Sequence, residues 1–319
     1  MDNEKVIEIK PTIQTIKVVT DSLDVEIETI DMNNSINQKP STVTCKDDTK
    51  VEFRGDWLVV EENASESVLK KVKNVIKNRN NTSIIINNIK FFSTNDEIGV
   101  NNGKIKFVLD KQSKFKFTIT TGNGNVKIKD LITPVLDIHT SSGNVEINNS
   151  IIGKTAIQTA SGDVDINEME AKNSTLINTL SGNINLTSDT FTRCQLMTTS
   201  GDVDVENVNV SSFDVSGTSG DVVLKDIEAL IIEVMCTRGD IELQNTDALN
   251  TIIRNIGGNT RVELLDSLLN YKMFLQSIGG NVVKESIDES SPMIAEQKKV
   301  LNISSVGGDI KVLYKGKNI

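Results

Sequence analysis

One short phrase, Ser-Gly-Asp/Asn-Val, returns along most of the chain and limits its fold more tightly than any other feature. It reads Asn123-Gly124-Asn125-Val126, Ser142-Gly143-Asn144-Val145, Ser161-Gly162-Asp163-Val164 and Ser181-Gly182-Asn183-Ile184. It continues as Ser200-Gly201-Asp202-Val203, Ser219-Gly220-Asp221-Val222 and Arg238-Gly239-Asp240-Ile241, then closes with Gly257-Gly258-Asn259, Gly279-Gly280-Asn281 and Gly307-Gly308-Asp309. The anchoring glycines are Gly124, Gly143, Gly162, Gly182, Gly201, Gly220, Gly239, Gly258, Gly280 and Gly308. Their successive differences are 19, 19, 20, 19, 19, 19, 19, 22 and 28. A period of this size marks a repeat architecture.

Aligning the copies on the glycine gives each position a task. Five residues before it stand Ile119, Ile138, Ile157, Ile177, Leu196, Val215, Val234, Ile253, Leu275 and Ile303, all aliphatic. Two after it, Thr260 alone is not aliphatic; four after it, Lys284 alone is not. Apolar residues two apart predict strands with one buried face. The glycine with its Asn/Asp neighbour predicts a tight turn, because glycine tolerates positive φ and Asn/Asp bond their own backbone. A single unit cannot bury its apolar face, whereas stacked units can. The predicted fold is therefore all-β: a single-chain parallel β-solenoid (β-helix) of about ten 19-residue coils. At about 4.8 Å per coil the stack spans roughly 45–50 Å. Three residues before the glycine, Thr121, Thr140, Thr159, Thr179 and Thr198 and then Gly217, Cys236, Asn255, Ser277 and Ser305 predict an internal ladder of small residues. The Asn/Asp after the glycine predicts a second ladder along the turns.

The ends depart from the rule and divide the chain into residues 1–100, an irregular N-terminal cap of strands and one short helix, and residues 101–319, the solenoid. Strand-like alternation occurs at 16–19, 24–27 and 57–60, and Asp21-Ser22-Leu23-Asp24-Val25 is a repeat phrase with leucine for glycine. Val68, Leu69, Val72, Val75 and Ile76 predict a helix over 64–79 with Lys70, Lys71, Lys73, Lys77 and Arg79 on its other face. The widest glycine spacing predicts a surface loop near 284–299.

Composition agrees with such a stack. Aromatic residues are only 4% of the 319, as a narrow interior of Val, Ile, Leu and Thr requires. The 34 basic against 44 acidic residues give a net charge of −10, which argues against a nucleic-acid partner. No run of about 18 apolar residues predicts a transmembrane segment. Cys45, Cys194 and Cys236 are odd in number, widely spread and form no Cys-x-x-Cys pair, so they predict neither a disulfide framework nor a zinc site. The polar start Met1-Asp2-Asn3-Glu4-Lys5 has no signal-peptide pattern, which makes the cytoplasm the default compartment.

The recurring phrase, its pitch of about 19 residues and the 107–128 lead-in resemble the putative adhesin repeat family, strongly over about 100–315 and weakly over 10–62. The resemblance implies a β-solenoid with a binding role, often at a cell surface, and implies no catalytic residues.

Candidate sites are few. Arg-Gly-Asp triplets stand at 54–56 and 238–240, and the second is the repeat phrase with Arg238 in place of serine. Asp163/Asp165 and Asp202/Asp204 are outward acidic pairs that could attract a cation through hard oxygen ligands. The intervening coil carries Asn183/Asn185, so a solvated face is the simpler expectation. Four residues before the glycine, the outward row runs Thr120, His139, Gln158, Asn178, Met197, Ser216, Met235, Arg254. It holds no acidic pair for acid/base chemistry and no flat threonine array of the ice-binding kind. His139, the single histidine, is expected at the surface. The chain is expected to be a non-enzymatic scaffold or adhesin-like binding protein without cofactor, facing a protein or polysaccharide, with a possible peripheral contact through 64–79. The alternatives are a polysaccharide-active β-helix enzyme and a filament-forming solenoid.

Overall fold

The structure, a computed structural model, describes residues 4–30, 40–46, 49–62, 104–110, 114–286 and 299–314. The predicted 64–79 helix and most of the 284–299 loop lie outside these residues. The described residues are almost entirely strand, joined into one sheet system, with a single 3-10 turn at Leu268–Asn270.

Between Gly124 and Gly258 each coil stacks on the next with parallel pairing. The strand Val145–Thr159 (β11) pairs in register with Val164–Thr179 (β12), placing Val145 beside Val164 and Ile157 beside Ile177. The coil of 20 residues absorbs its extra residue as a bulge: the register slips between Ala171 and Ser174, then resumes. Inside, the aliphatic rows close into one continuous core, with Ile138, Val145, Ile157, Val164, Leu196 and Val215 wholly buried.

Two turns shape the coils from Gly124 to Gly239. At the first, the glycine is required by close approach: a Cβ on Gly201 would lie 2.0 Å from the carbonyl oxygen of Gly182, and one on Gly143 would lie 1.9 Å from that of Gly124. Positive φ, the expected reason, applies among the anchoring glycines only to Gly220 (+123°) and Gly239 (+149°). The threonine row explains this difference. Thr140 Oγ1 accepts the Gly143 N–H at 2.8 Å, and Thr121, Thr159, Thr179 and Thr198 do the same one coil after another. Gly217 offers no hydroxyl, so the Gly220 N–H turns to the Arg238 carbonyl of the next coil at 3.1 Å. The predicted internal ladder is thus a set of turn locks.

The second turn was not anticipated. Six residues past the glycine, Asp130, Asn149, Glu168, Ser188, Asn207, Asp226 and Asn245 all adopt φ between +46° and +60°. Asn, Asp and Ser tolerate this left-handed conformation by bonding locally; Glu168 does so less easily.

Both ends break chain order. The strands Thr15–Val19 (β2) and Asp24–Ile30 (β3) stack parallel on Lys116–Thr121 (β8) and Val126–Lys129 (β9), so Leu23 stands in the glycine row and its carbonyl lies under Gly124. Outside them lie Trp57–Glu61 (β6), paired with β2, and Lys104–Asp110 (β7), paired with β3. Three antiparallel strands finish this end: Lys50–Arg54 (β5) on β6, Thr42–Lys46 (β4) on β7, and Glu4–Glu8 (β1) on β4.

At the other end, chain order predicts Gly258, Gly280, Gly308. The structure stacks Gly258, Gly308, Gly280. Lys299–Val306 (β21) pairs with Ile241–Asn255 (β17), and Ile310–Tyr314 (β22) pairs with Thr260–Leu264 (β18). Tyr271–Ile278 (β19) and Val282–Ser286 (β20) then pair with β21 and β22 from outside. The residues supply the reason. In the inserted coil Leu301, Ile303, Ile310 and Val312 are completely buried, whereas the outer coil carries Lys284 at an inward position. A lysine fits that row only where no further coil covers it. Lys299 pins the crossing by bridging Asp247 and Asp266.

Candidate functional site

The most regular surface feature is the edge formed by the Asn/Asp after each glycine. Asn125 Oδ1 accepts the Asn144 N–H at 2.9 Å, and Asn144 Oδ1 accepts that of Asp163 at 3.0 Å. The chain of bonds runs from Asp24 through Asn183, Asp202, Asp221, Asp240 and Asn259 to Asp309 and Asn281. A carbonyl or carboxylate one carbon beyond Cβ reaches the next coil's amide, so Asn and Asp serve equally. The ladder fixes coil register and lines up the outward side chains of successive repeats.

The four acidic candidates fall on this edge and on the strand beside it. Asp163 and Asp202 each spend one oxygen on the ladder, accepting from the amides of Asn183 (2.8 Å) and Asp221 (2.8 Å). Asp165 accepts from Asn185 Nδ2 at 2.6 Å. Asp163 and Asp202 stand two coils apart, about 10 Å. Burial and then the charges of Asp202 and Asp221 push the Asp204 carboxyl above its ordinary range. Among the described residues no three His, Cys, Asp or Glu side chains form a metal-binding group.

Both Arg-Gly-Asp triplets have structural roles. Gly55, at φ +64°, turns the hairpin between β5 and β6, and Arg54 is held by Glu52. Gly239 and Asp240 belong to the glycine row and the ladder, Asp240 donating its amide to Asp221 and accepting that of Asn259.

His139 is buried, against the expectation of a surface residue. It lies in register between Thr120 and Gln158, with Nε2 3.0 Å from Asp137 Oδ1. Neighbouring side chains on a flat parallel sheet pack tightly enough to cover an imidazole lying along it. The three cysteines are buried thiols; burial, reinforced by Asp189, drives the Cys194 thiol far above its usual range, the opposite of a nucleophile's.

Asp189 is the polar residue that pattern reading missed. It occupies an inward row, seven past the glycine, that holds Leu131, Met169, Val208 and Ile227 in other coils, and it is 2% exposed. Its Oδ1 accepts the Met169 N–H at 2.6 Å while Oδ2 has no partner. Burial pushes its carboxyl up to about 7. The signal was available as a single charge in an otherwise apolar or small-polar column.

A shallow depression of about 350 Å³ between second turns is lined by Asp226, Ile227, Glu228, Asn245, Asp247 and Leu265. It is open, and no nucleophile with an adjacent base lines it. No helix among the described residues is long and apolar enough to cross a membrane.

Stacked coils with regularly spaced faces define a β-solenoid-like repeat protein. The chain belongs to the Toastrack DUF4097 family, which matches residues 13–193 and 173–313. It is similar to the crystal structures of a putative adhesin (13% identity, 98% of this chain and 96% of that one, TM-score 0.42) and a putative lipid binding protein (18%, 98% and 97%, 0.43), both from Parabacteroides distasonis ATCC 8503. It is also similar to that of a putative adhesin from Bacteroides fragilis NCTC 9343 (11%, 98% and 96%, 0.30). No curated protein matches it.

Proposed function

We propose that this chain is a non-enzymatic binding scaffold that presents rows of side chains from successive coils to a protein or polysaccharide. The observation that carries the reading is the unbroken amide-to-Asn/Asp ladder, which holds outward residues of many coils in one register. A ligand with its own repeat can then be met at several points at once, each contact weak and the sum strong. The antiparallel strands β1, β4 and β5 act as the cap of the stack. Deleting one internal coil, 202–220, removes one rung and leaves the remaining rows aligned. Screening the intact chain and this variant on polysaccharide and protein arrays gives the test. Binding that weakens stepwise with coil number supports the scaffold. Turnover of a polysaccharide, abolished by replacing one carboxylate, overturns it in favour of a β-helix enzyme.

A further inference from the structure

Twelve of the fifteen exposed large apolar side chains among the described residues lie between Leu230 and Val306, leaving Val6, Trp57 and Leu180 for the rest. The concentration is sharpest on the last coil in space. Phe274 is 50% and Ile278 61% exposed, and Ile278 stands in register with Val306, itself 49% exposed. Inward residues of that coil are also incompletely covered. Val282 is 42% exposed, whereas Ile310, its partner one coil inside, is buried. Among the described residues β19 pairs only with β21 and leaves its other backbone edge unpaired. An apolar edge strand of eight residues templates another strand.

We propose that this end docks on the same end of a second copy, β19 against β19 in antiparallel sense, giving a two-fold dimer. Self-pairing is favoured by the strand's charges. Lys272 is its only charged residue, and in the antiparallel register centred on Phe274 it meets Gln276, not another lysine. Head-to-tail growth is opposed at the other end. There β5 and β1 run antiparallel to their neighbours and carry Lys50, Glu52 and Arg54 or Glu4, Lys5 and Glu8 on their edges. An isologous contact of this kind closes at two copies, so it makes dimers and not filaments. On β20 the inward Lys284 guards the edge, which leaves β19 as the joint. A dimer places two scaffolds end to end and doubles the number of presented rows.

The test is sedimentation of the 319-residue chain over a wide concentration range. The mass is expected to move from 35.0 kDa toward twice that value and stop there. Phe274→Glu together with Ile278→Glu, both on the outward face, is expected to weaken the dimer at least ~10-fold while leaving the melting transition in place. Phe274→Cys is expected to give a dimer-sized disulfide on oxidation, because the symmetric joint brings the two copies of that position together. A chain that stays at 35.0 kDa at every concentration, or that grows past the dimer, overturns the proposal, as does a dimer indifferent to both variants. A monomer would assign the face to the chain's own 287–298 segment or to a different partner.

Discussion

At the N-terminal end of the stack strand direction reverses; at the C-terminal end it does not. Outside the first regular coil, β5, β4 and β1 run antiparallel to the strands they cover, and the core beneath them is closed, with Val43, Leu58 and Val60 fully buried. Their edges alternate charges, and Lys50 lies 2.9 Å from Glu52. Outside the last coil nothing among the described residues reverses, and inward Met273, Leu275 and Val282 are only partly covered or exposed. A parallel stack extends itself by default, since each coil offers the next an identical ladder. Stopping it takes either a change of strand direction or a residue that the next coil could not bury. This chain uses the first device at one end and Lys284 at the other.

Moving a lysine along the inward row tests that contrast most severely. Val312→Lys puts the charge one coil deeper, at a fully buried position, and is expected to cost more than ~3 kcal/mol and abolish cooperative melting. Lys284→Val in the outer coil is expected to change stability by no more than ~0.5 kcal/mol and to increase self-association. Equal effects of the two would erase the difference between the coils.

The middle of the stack supplies the reference for both ends, and Asp189 is its weak point. Its folded-state value of about 7 lies above the unfolded carboxylate value, so the folded form holds a proton that the unfolded chain releases. The stability that this one group contributes is therefore fully present below about pH 4 and is lost as the pH rises through about 7. Asp189→Val is expected to raise stability at pH 8 by on the order of 3 kcal/mol and to flatten that part of the curve. Denaturant titrations at pH 5 and pH 8 check this; an unchanged slope would mean the carboxylate is solvated.

Glycines separate the two regions on a smaller scale. Gly201→Ala drives a Cβ into the Gly182 carbonyl and is expected to cost about 2–3 kcal/mol. Gly55→Asn, in the N-terminal hairpin, meets nothing within 4 Å and faces only a left-handed φ that asparagine tolerates, so less than ~1 kcal/mol is expected. Matching melting temperatures would contradict close approach as the reason for the glycine row. Between these two, Asn183→Ala removes one rung, leaving the Asp202 amide to water, at about 1 kcal/mol.

Much of this was readable from residues alone. Glycine spacing and the aliphatic columns define the coils, because a 19-residue period leaves parallel stacking as the way to bury each face. The second turn was written in the sequence as Asn149, Asn207 and Asn245, but with Glu168 and Ser188 in the row no single residue type advertises it. Leu23 hid a regular coil, since a leucine stands in the glycine row with its carbonyl under Gly124. The exchanged C-terminal coils left one trace, Lys284, which reads as an exception in chain order and as a terminator in space. The distribution of exposed apolar residues depended on that exchange and could not be drawn before it.

Disulfide trapping measures the order of the last three coils directly. Arg254 and Ser304 are register partners on adjacent parallel strands, a separation of about 5 Å that a disulfide can span. Arg254 and Gln276 are two coils apart, since Gln276 pairs with Ser304 from the far side. With cysteines at 254 and 304, oxidation is expected to give an intramolecular cross-link in the folded chain; with cysteines at 254 and 276, none. A cross-link between 254 and 276, with none between 254 and 304, would show that the coils stack in chain order after all.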